Sequence, residues 1–209
     1  MLNQEIYNQI KNKARGAEIV AVTKYFDEVE TTKILHAGIS LIGESRVQQA
    51  KKKYYYFKEK NLDVRMHMIG HLQSNKVKEA IEIFDCIQSV DGFKVLRRIN
   101  DAIWPSTTKQ TQEIYLQINA TGEAQKYGFL EADICRAYEL CLEYPNIDCT
   151  GIMCMGKYGH EETTEEAFRL CRSLCDEFWL ENCSMGMSWD RELAVAEWAT
   201  VLRLGSILF

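Results

Sequence analysis

The feature that most constrains this chain is a repeated alternation of two patterns. Short apolar runs rich in β-branched residues recur at Ile19–Tyr25, Ser40–Gly43, Val64–Gly70, Cys86–Val90, Ile114–Asn119, Cys149–Met155, Cys183–Met187 and Val201–Gly205. Between them lie stretches with apolar residues at helical spacing: Glu28–Ala37, Arg46–Glu59, Ser74–Ile83, Phe93–Ile103, Glu131–Leu142, Glu165–Phe178 and Arg191–Ala199. Near-continuous apolar runs are the pattern of parallel strands buried on both faces. Strict strand–helix alternation demands right-handed crossovers, and eight such units suit a closed sheet. The expectation is an α/β chain forming a single (β/α)8 TIM barrel over residues 1–209, with an extra helix at Asn3–Ala14 leading into the first strand. A doubly wound open sheet is the competing arrangement. No G-x-G-x-x-G follows the first run, which weakens its dinucleotide-binding version.

Local signals agree with this reading. Asp27 precedes Glu30, and Ser45 precedes Gln48, at the spacing of a capping box. Pro105–Thr111 and Tyr158–Thr164 are polar and rich in breakers and read as loops. The second follows the sixth strand and is placed to cover a site as a mobile segment.

Composition narrows the function classes. The 209 residues carry a formal charge of −5, which argues against a general nucleic-acid binder. There is no apolar run long enough to span a bilayer, and MLNQEIYNQIKNKARG lacks the apolar core of a secretory signal. The eight cysteines are therefore expected reduced, in the cytoplasm. None forms C-x-x-C, and the four histidines show no H-E-x-x-H, so no metal site is expected.

In such a barrel the chemistry sits at the C-terminal ends of the strands. Lys24 follows Ile19-Val20-Ala21-Val22 and is expected to emerge, partly desolvated, as a nucleophilic amine; a snorkelling lysine at a strand end is the plainer reading. Arg203 ends the eighth strand and would meet an anion or a ring nitrogen, or else pair with Glu44. Gly205-Ser206, with the hydroxyls of Ser184 and Ser188 around Met185, Gly186 and Met187, reads as a phosphate cup. A lysine, a phosphate cup and an arginine facing a ring together describe a pyridoxal phosphate site.

Six segments resemble the pyridoxal phosphate homeostasis protein family, relatives of the alanine racemase N-terminal barrel: AVTKY (21–25), IGESRVQQA (42–50), HMIGHLQSNK (67–76), GIMCM (151–155), SMGMSWD (184–190) and RLGS (203–206). The resemblance implies pyridoxal 5'-phosphate as cofactor. Lys24 would form the Schiff base and Arg203 would face the pyridine nitrogen. Gly205 and Ser206 would hold the phosphate, assisted by Ser184, Met185 and Ser188. Ser45 stands where the family usually has an asparagine lining the cofactor. Ser206 replaces a usual threonine, Cys183 a usual leucine, and the chain stops at Phe209, before the family's usual tail. His71 and Asn75 belong to the third-strand motif without an assigned role.

Three functions compete: a protein that binds and buffers the cofactor, a racemase-like or decarboxylase enzyme with an open one-domain site, and a lysine aldolase without the cofactor. An arginine at the ring nitrogen makes the ring a poorer electron sink. Racemases of this fold add a tyrosine from a second domain, for which 209 residues leave no length. Tyr158 is the substitute base to consider. Aldolases on this barrel carry their lysine on strand six, where this chain has Met153 and Met155. The expectation is a monomeric cofactor-binding protein for vitamin B6 homeostasis with little or no catalysis. Its partners would be the small-molecule cofactor and pyridoxal phosphate-dependent apoenzymes, with no nucleic acid and no membrane.

Overall fold

The computed structural model describes residues 2–103, 110–123 and 126–209. Eight parallel strands close in sequence order into a barrel: β1 (Glu18–Val22), β2 (Leu41–Glu44), β3 (Arg65–Met68), β4 (Cys86–Val90), β5 (Gln112–Gln117), β6 (Ile147–Met153), β7 (Asn182–Ser184) and β8 (Val201–Leu204). The last strand pairs with the first, setting Val20 beside Arg203. The connecting helices are α2 (Glu28–His36), α3 (Val47–Glu59), α4 (Val77–Ile83), α5 (Phe93–Ile103), α6 (Glu131–Glu143), α7 (Glu161–Glu177) and α8 (Arg191–Ala196). The N-terminal helix α1 (Gln4–Lys13) precedes β1, as expected. Among the described residues no helix is long and apolar enough to cross a membrane.

Helix starts show where local signals win and lose. The Asp27–Glu30 capping box forms, each side chain accepting from the other residue's backbone amide. The one expected at Ser45–Gln48 does not: α3 starts at Val47, with Arg46 at its N-cap and no side-chain cap bond. Ser45 is instead pressed against Gly70 at the end of β3, where a Cβ on residue 70 would lie 2.5 Å from the Ser45 carbonyl oxygen. The segment Tyr158–Thr164 is only partly a loop, because α7 begins at Glu161. Buried Thr164 ties its start down, accepting from Lys157 N at 2.9 Å and donating to Lys157 O at 3.1 Å. Most of Pro105–Thr111 lies outside the described residues.

The apolar core has two compartments. The larger lies between the strands and the helices and includes Ile42, Phe57, Leu96, Ile99, Phe168 and Leu202. Side chains of this size contribute about 1.5–3 kcal/mol each when fully buried. The smaller fills the barrel with Val20, Leu41, Cys86, Tyr115, Met153 and Val201. Period-two alternation along each strand sends successive side chains to these two compartments. Polar residues share the inner one, and they position the site.

Candidate functional site

A cavity of about 500 Å³ opens at the C-terminal ends of β1, β7 and β8. It gathers Lys24, Ser188, Arg203, Gly205 and Ser206 from the expected set, walled by Tyr25, Phe26, Trp189 and Phe209. The rings of Phe26 and Phe209 meet edge-on at 4.7 Å, which braces that wall.

Lys24 does not emerge desolvated from a strand, as its apolar lead-in suggested. β1 ends at Val22, and Phe26 N donates to Thr23 O at 3.0 Å to close a turn. Thr23 points inward and is fully buried, while Lys24 is exposed, its Nζ 5.0 Å from the Tyr25 ring centroid. The turn is anchored from below. Lys53 Nζ donates to Thr23 O at 2.8 Å and to Glu44 Oε1 at 2.5 Å, and Thr23 Oγ1 donates to the same carboxylate at 2.6 Å. Lys53 is on the buried stripe of α3 with Val47, Ala50 and Phe57. Glu44 therefore pairs with Lys53, which overturns the Arg203–Glu44 pairing considered from sequence.

Arg203 is 4% exposed and is held by two bonds. Its Nη1 donates to Ser184 Oγ at 2.6 Å, and its Nη2 to the Cys154 carbonyl at 2.7 Å. Ser184 Oγ donates onward to Gln88 Oε1 at 2.7 Å, and Gln88 Nε2 lies 2.8 Å from His67 Nδ1. With Oε1 accepting from Ser184, the Gln88 amide faces His67, so Nδ1 must accept and the imidazole must be neutral. Burial keeps it so: desolvation, reinforced by the charge of Arg65, lowers the His67 pKa to about 3. Burial also lowers the pKa of Arg203 from its usual value. A one-way chain of hydrogen bonds thus crosses the barrel interior from Arg203 to His67.

At the same C-terminal rim Ser188 Oγ accepts from Gly205 N at 3.3 Å and Ile207 N at 3.4 Å. Two backbone amides aimed at one oxygen form a small anion cradle. Gly186 lets the loop bend beneath it with φ +88°, a conformation that side-chain-bearing residues rarely adopt. A Cβ there would also lie 2.5 Å from Ala194 Cβ.

Three expected residues stand elsewhere. Ser184 is fully buried behind Arg203, a positioning group and not a cavity wall. Met185 packs in the outer core with its Sδ 3.7 Å from Cys183 Sγ. Ser45 lines a neighbouring cavity of about 410 Å³ with Arg46, His71 and Lys76. His71 Nδ1 lies 2.5 Å from Asp91 Oδ2, and its ring stacks on Tyr127 at 3.8 Å. Asn75 faces a separate groove beside α5. Tyr158 is 82% exposed and meets the ring of Trp189 edge-on at 5.4 Å.

Sequence reasoning missed Lys53, Gln88 and His67. Signals for two of them were present: a lone glutamine inside the apolar run Cys86–Val90, and a lysine on the apolar stripe of α3.

Comparisons with known proteins show the family and the fold. The model of the alanine racemase N-terminal domain family matches residues 4–209. The pyridoxal phosphate homeostasis protein of Aquifex aeolicus is 32% identical over 216 aligned positions, covering 99% of this chain and 93% of that protein. Its namesake in Vibrio alginolyticus is 32% identical over 93% of this chain and 86% of its own length. Among solved structures, PipY of Synechococcus elongatus with PLP bound is 28% identical with a TM-score of 0.88, covering 99% of both chains. Alanine racemase from Corynebacterium glutamicum, 15% identical with a TM-score of 0.74, shares the fold over 98% of this chain and 58% of its own.

Proposed function

The chain belongs to the alanine racemase N-terminal domain family and, within it, to the pyridoxal phosphate homeostasis proteins, and from that premise we propose that it binds pyridoxal 5'-phosphate through Lys24 and serves intracellular vitamin B6 balance with little or no catalysis of its own. The observation that carries this reading is one cavity joining an exposed lysine amine, a buried guanidinium and the Ser188–Gly205 edge of a two-amide anion cradle. These groups fit the cofactor. The Gly205 and Ile207 amides, with the Ser188 and Ser206 hydroxyls, suit its phosphate. Arg203, a donor with no acceptor, suits an unprotonated ring nitrogen. When bound, the cofactor supplies an aldehyde carbon for the Lys24 amine.

Weak catalysis is supported by what the protein offers around that amine. A guanidinium at the ring nitrogen opposes its protonation, which lowers the capacity to stabilise a carbanion. The described cavity lining holds no histidine, aspartate or glutamate side chain, and its one tyrosine, Tyr25, is 85% exposed. Lys24 is exposed, so water screens whatever charge develops there. The eight free thiols suit a reducing compartment such as the cytoplasm. Cofactor delivery to apoenzymes by a monomer completes the proposal.

The test is absorbance of the purified protein titrated with pyridoxal phosphate. A bound-cofactor band is expected in the native chain and is expected to vanish in Lys24→Ala. A band that persists in Lys24→Ala overturns the lysine assignment. Alanine racemisation at enzyme-like rates overturns the binding-only role.

A further inference from the structure

Outside the cofactor cavity, where α7 packs against β6 and β7, the structure holds a buried sulfur cluster. Cys171 and Cys175 are one helical turn apart on α7 and present their thiols to the same side. Cys183 faces them from β7, and Cys154 follows the end of β6. All four residues are fully buried. The Sγ atoms of Cys171, Cys175 and Cys183 lie within 4.8 Å of one another, and the Cys171–Cys183 pair is at 3.7 Å. A tetrahedral ion with metal–sulfur bonds of about 2.3 Å places its sulfurs roughly 3.8 Å apart. One edge of that figure already exists, and the two others among these three sulfurs close by about 1 Å at most. The Cys154 thiol, which lies 3.8 Å from the Ala167 carbonyl oxygen, has to turn to reach the fourth corner.

Charge balance points the same way. Four thiolates around a divalent ion leave two net negative charges, one of which a neighbouring guanidinium offsets. Arg172, next to Cys171 on α7 and within electrostatic reach of Cys175 and Cys183, gives Nη2 to Asp176 at 2.7 Å. Its Nε is buried with no hydrogen-bond partner among the described residues. A buried guanidinium donor at a thiolate cluster is the outer-shell group such a site needs.

We propose that Cys171, Cys175 and Cys183 bind one thiophilic divalent cation of the zinc class, with the Cys154 thiol at the fourth position and Arg172 Nε donating to a ligand sulfur. Each ligating thiol gives up its proton, so M²⁺ and four thiols yield a metal tetrathiolate and four protons, with no oxidant or reductant involved. The Cys154 carbonyl that accepts from Arg203 ties this site to the support of the cofactor arginine. The proposal is independent of cofactor binding.

The test uses the reduced, metal-free full chain and Cd²⁺ alone, added both to folded protein and during refolding from urea. One equivalent is expected to saturate an ultraviolet thiolate-to-cadmium charge-transfer band and to release about four protons per ion. Zn²⁺ is expected to abolish that band by competition. Cys175→Ser and Cys183→Ser are expected to weaken binding at least tenfold, whereas Cys135→Ser, at an exposed cysteine, leaves it unchanged. Arg172→Leu removes no thiol and is expected to weaken binding about tenfold. Circular dichroism checks that each variant is folded. If the native chain shows no band and no proton release under either loading, the cysteines are packing groups only and the site does not exist. A band retained in full by folded Cys175→Ser and Cys183→Ser, or lost in Cys135→Ser, overturns it equally.

Discussion

Replacing Lys53 with methionine isolates the ion pair beneath the Lys24 turn. Methionine keeps an unbranched stem of similar reach, so little apolar contact is lost. What disappears is the ammonium that bonds Glu44 Oε1 at 2.5 Å and Thr23 O at 2.8 Å. The Glu44 and Lys53 side chains are 0% and 3% exposed, and Glu44 Oε2 has no hydrogen-bond partner among the described residues even with Lys53 in place. In the variant the carboxylate keeps only the Thr23 hydroxyl. Removing one partner of a buried pair costs about 3–5 kcal/mol, because the other charge is left uncompensated. That is a large share of the ~5–15 kcal/mol stability of a typical domain. Urea unfolding followed by circular dichroism measures the loss. Adding Glu44→Gln neutralises the stranded charge and keeps an acceptor for Thr23, so the double variant is expected to recover most of it. Cofactor affinity is expected to drop in the single variant too, since the Thr23 carbonyl lies in the backbone that presents Lys24. A loss below about 1 kcal/mol, or a double variant no better than the single one, refutes the buried-pair reasoning.

Ser184→Ala strips a partner from both the Arg203 guanidinium and the Gln88 carbonyl, and urea unfolding is expected to show a loss of about 2–4 kcal/mol, with weaker cofactor binding in the same titration. Because the His67 pKa is lowered to about 3, the unfolded chain takes up a proton near pH 6.5 that the folded chain refuses until far lower pH. The contribution of His67 to stability is therefore intact above pH 6.5 and is lost as pH falls toward 3, at about 1.4 kcal/mol per pH unit, and the pH profile of His67→Gln is expected to lack that slope. Gly186→Ala forces a positive φ on a side chain that meets Ala194, and thermal unfolding is expected to show a destabilisation of about 1–3 kcal/mol.

The fold was legible because its signal is global. Each β-branched run, closed by a helix start, becomes a strand within a few residues of its expected limits, and Cys86–Val90 and Phe93–Ile103 match residue for residue. The site was less legible, because spacing along the chain does not reveal which way a residue faces. Ser184 and Ser188 share one motif, yet the short β7 ends at Ser184 and turns it inward to Arg203, while Ser188 lies past the Gly186 bend and reaches the cavity. Ser45 fails as a helix cap because Gly70 leaves it room to pack against β3. The Arg203–Ser184–Gln88–His67 chain joins four strands distant in sequence, so only barrel closure brings it together.

The central claim is that Lys24 is the residue that holds the cofactor. Borohydride reduction of the protein mixed with one equivalent of pyridoxal phosphate, followed by peptide mass mapping, tests it most directly. The expected result is a single pyridoxyl phosphate adduct on the peptide containing Lys24, absent from Lys24→Ala. An adduct of equal yield on another lysine, with the Lys24 peptide unmodified, contradicts it.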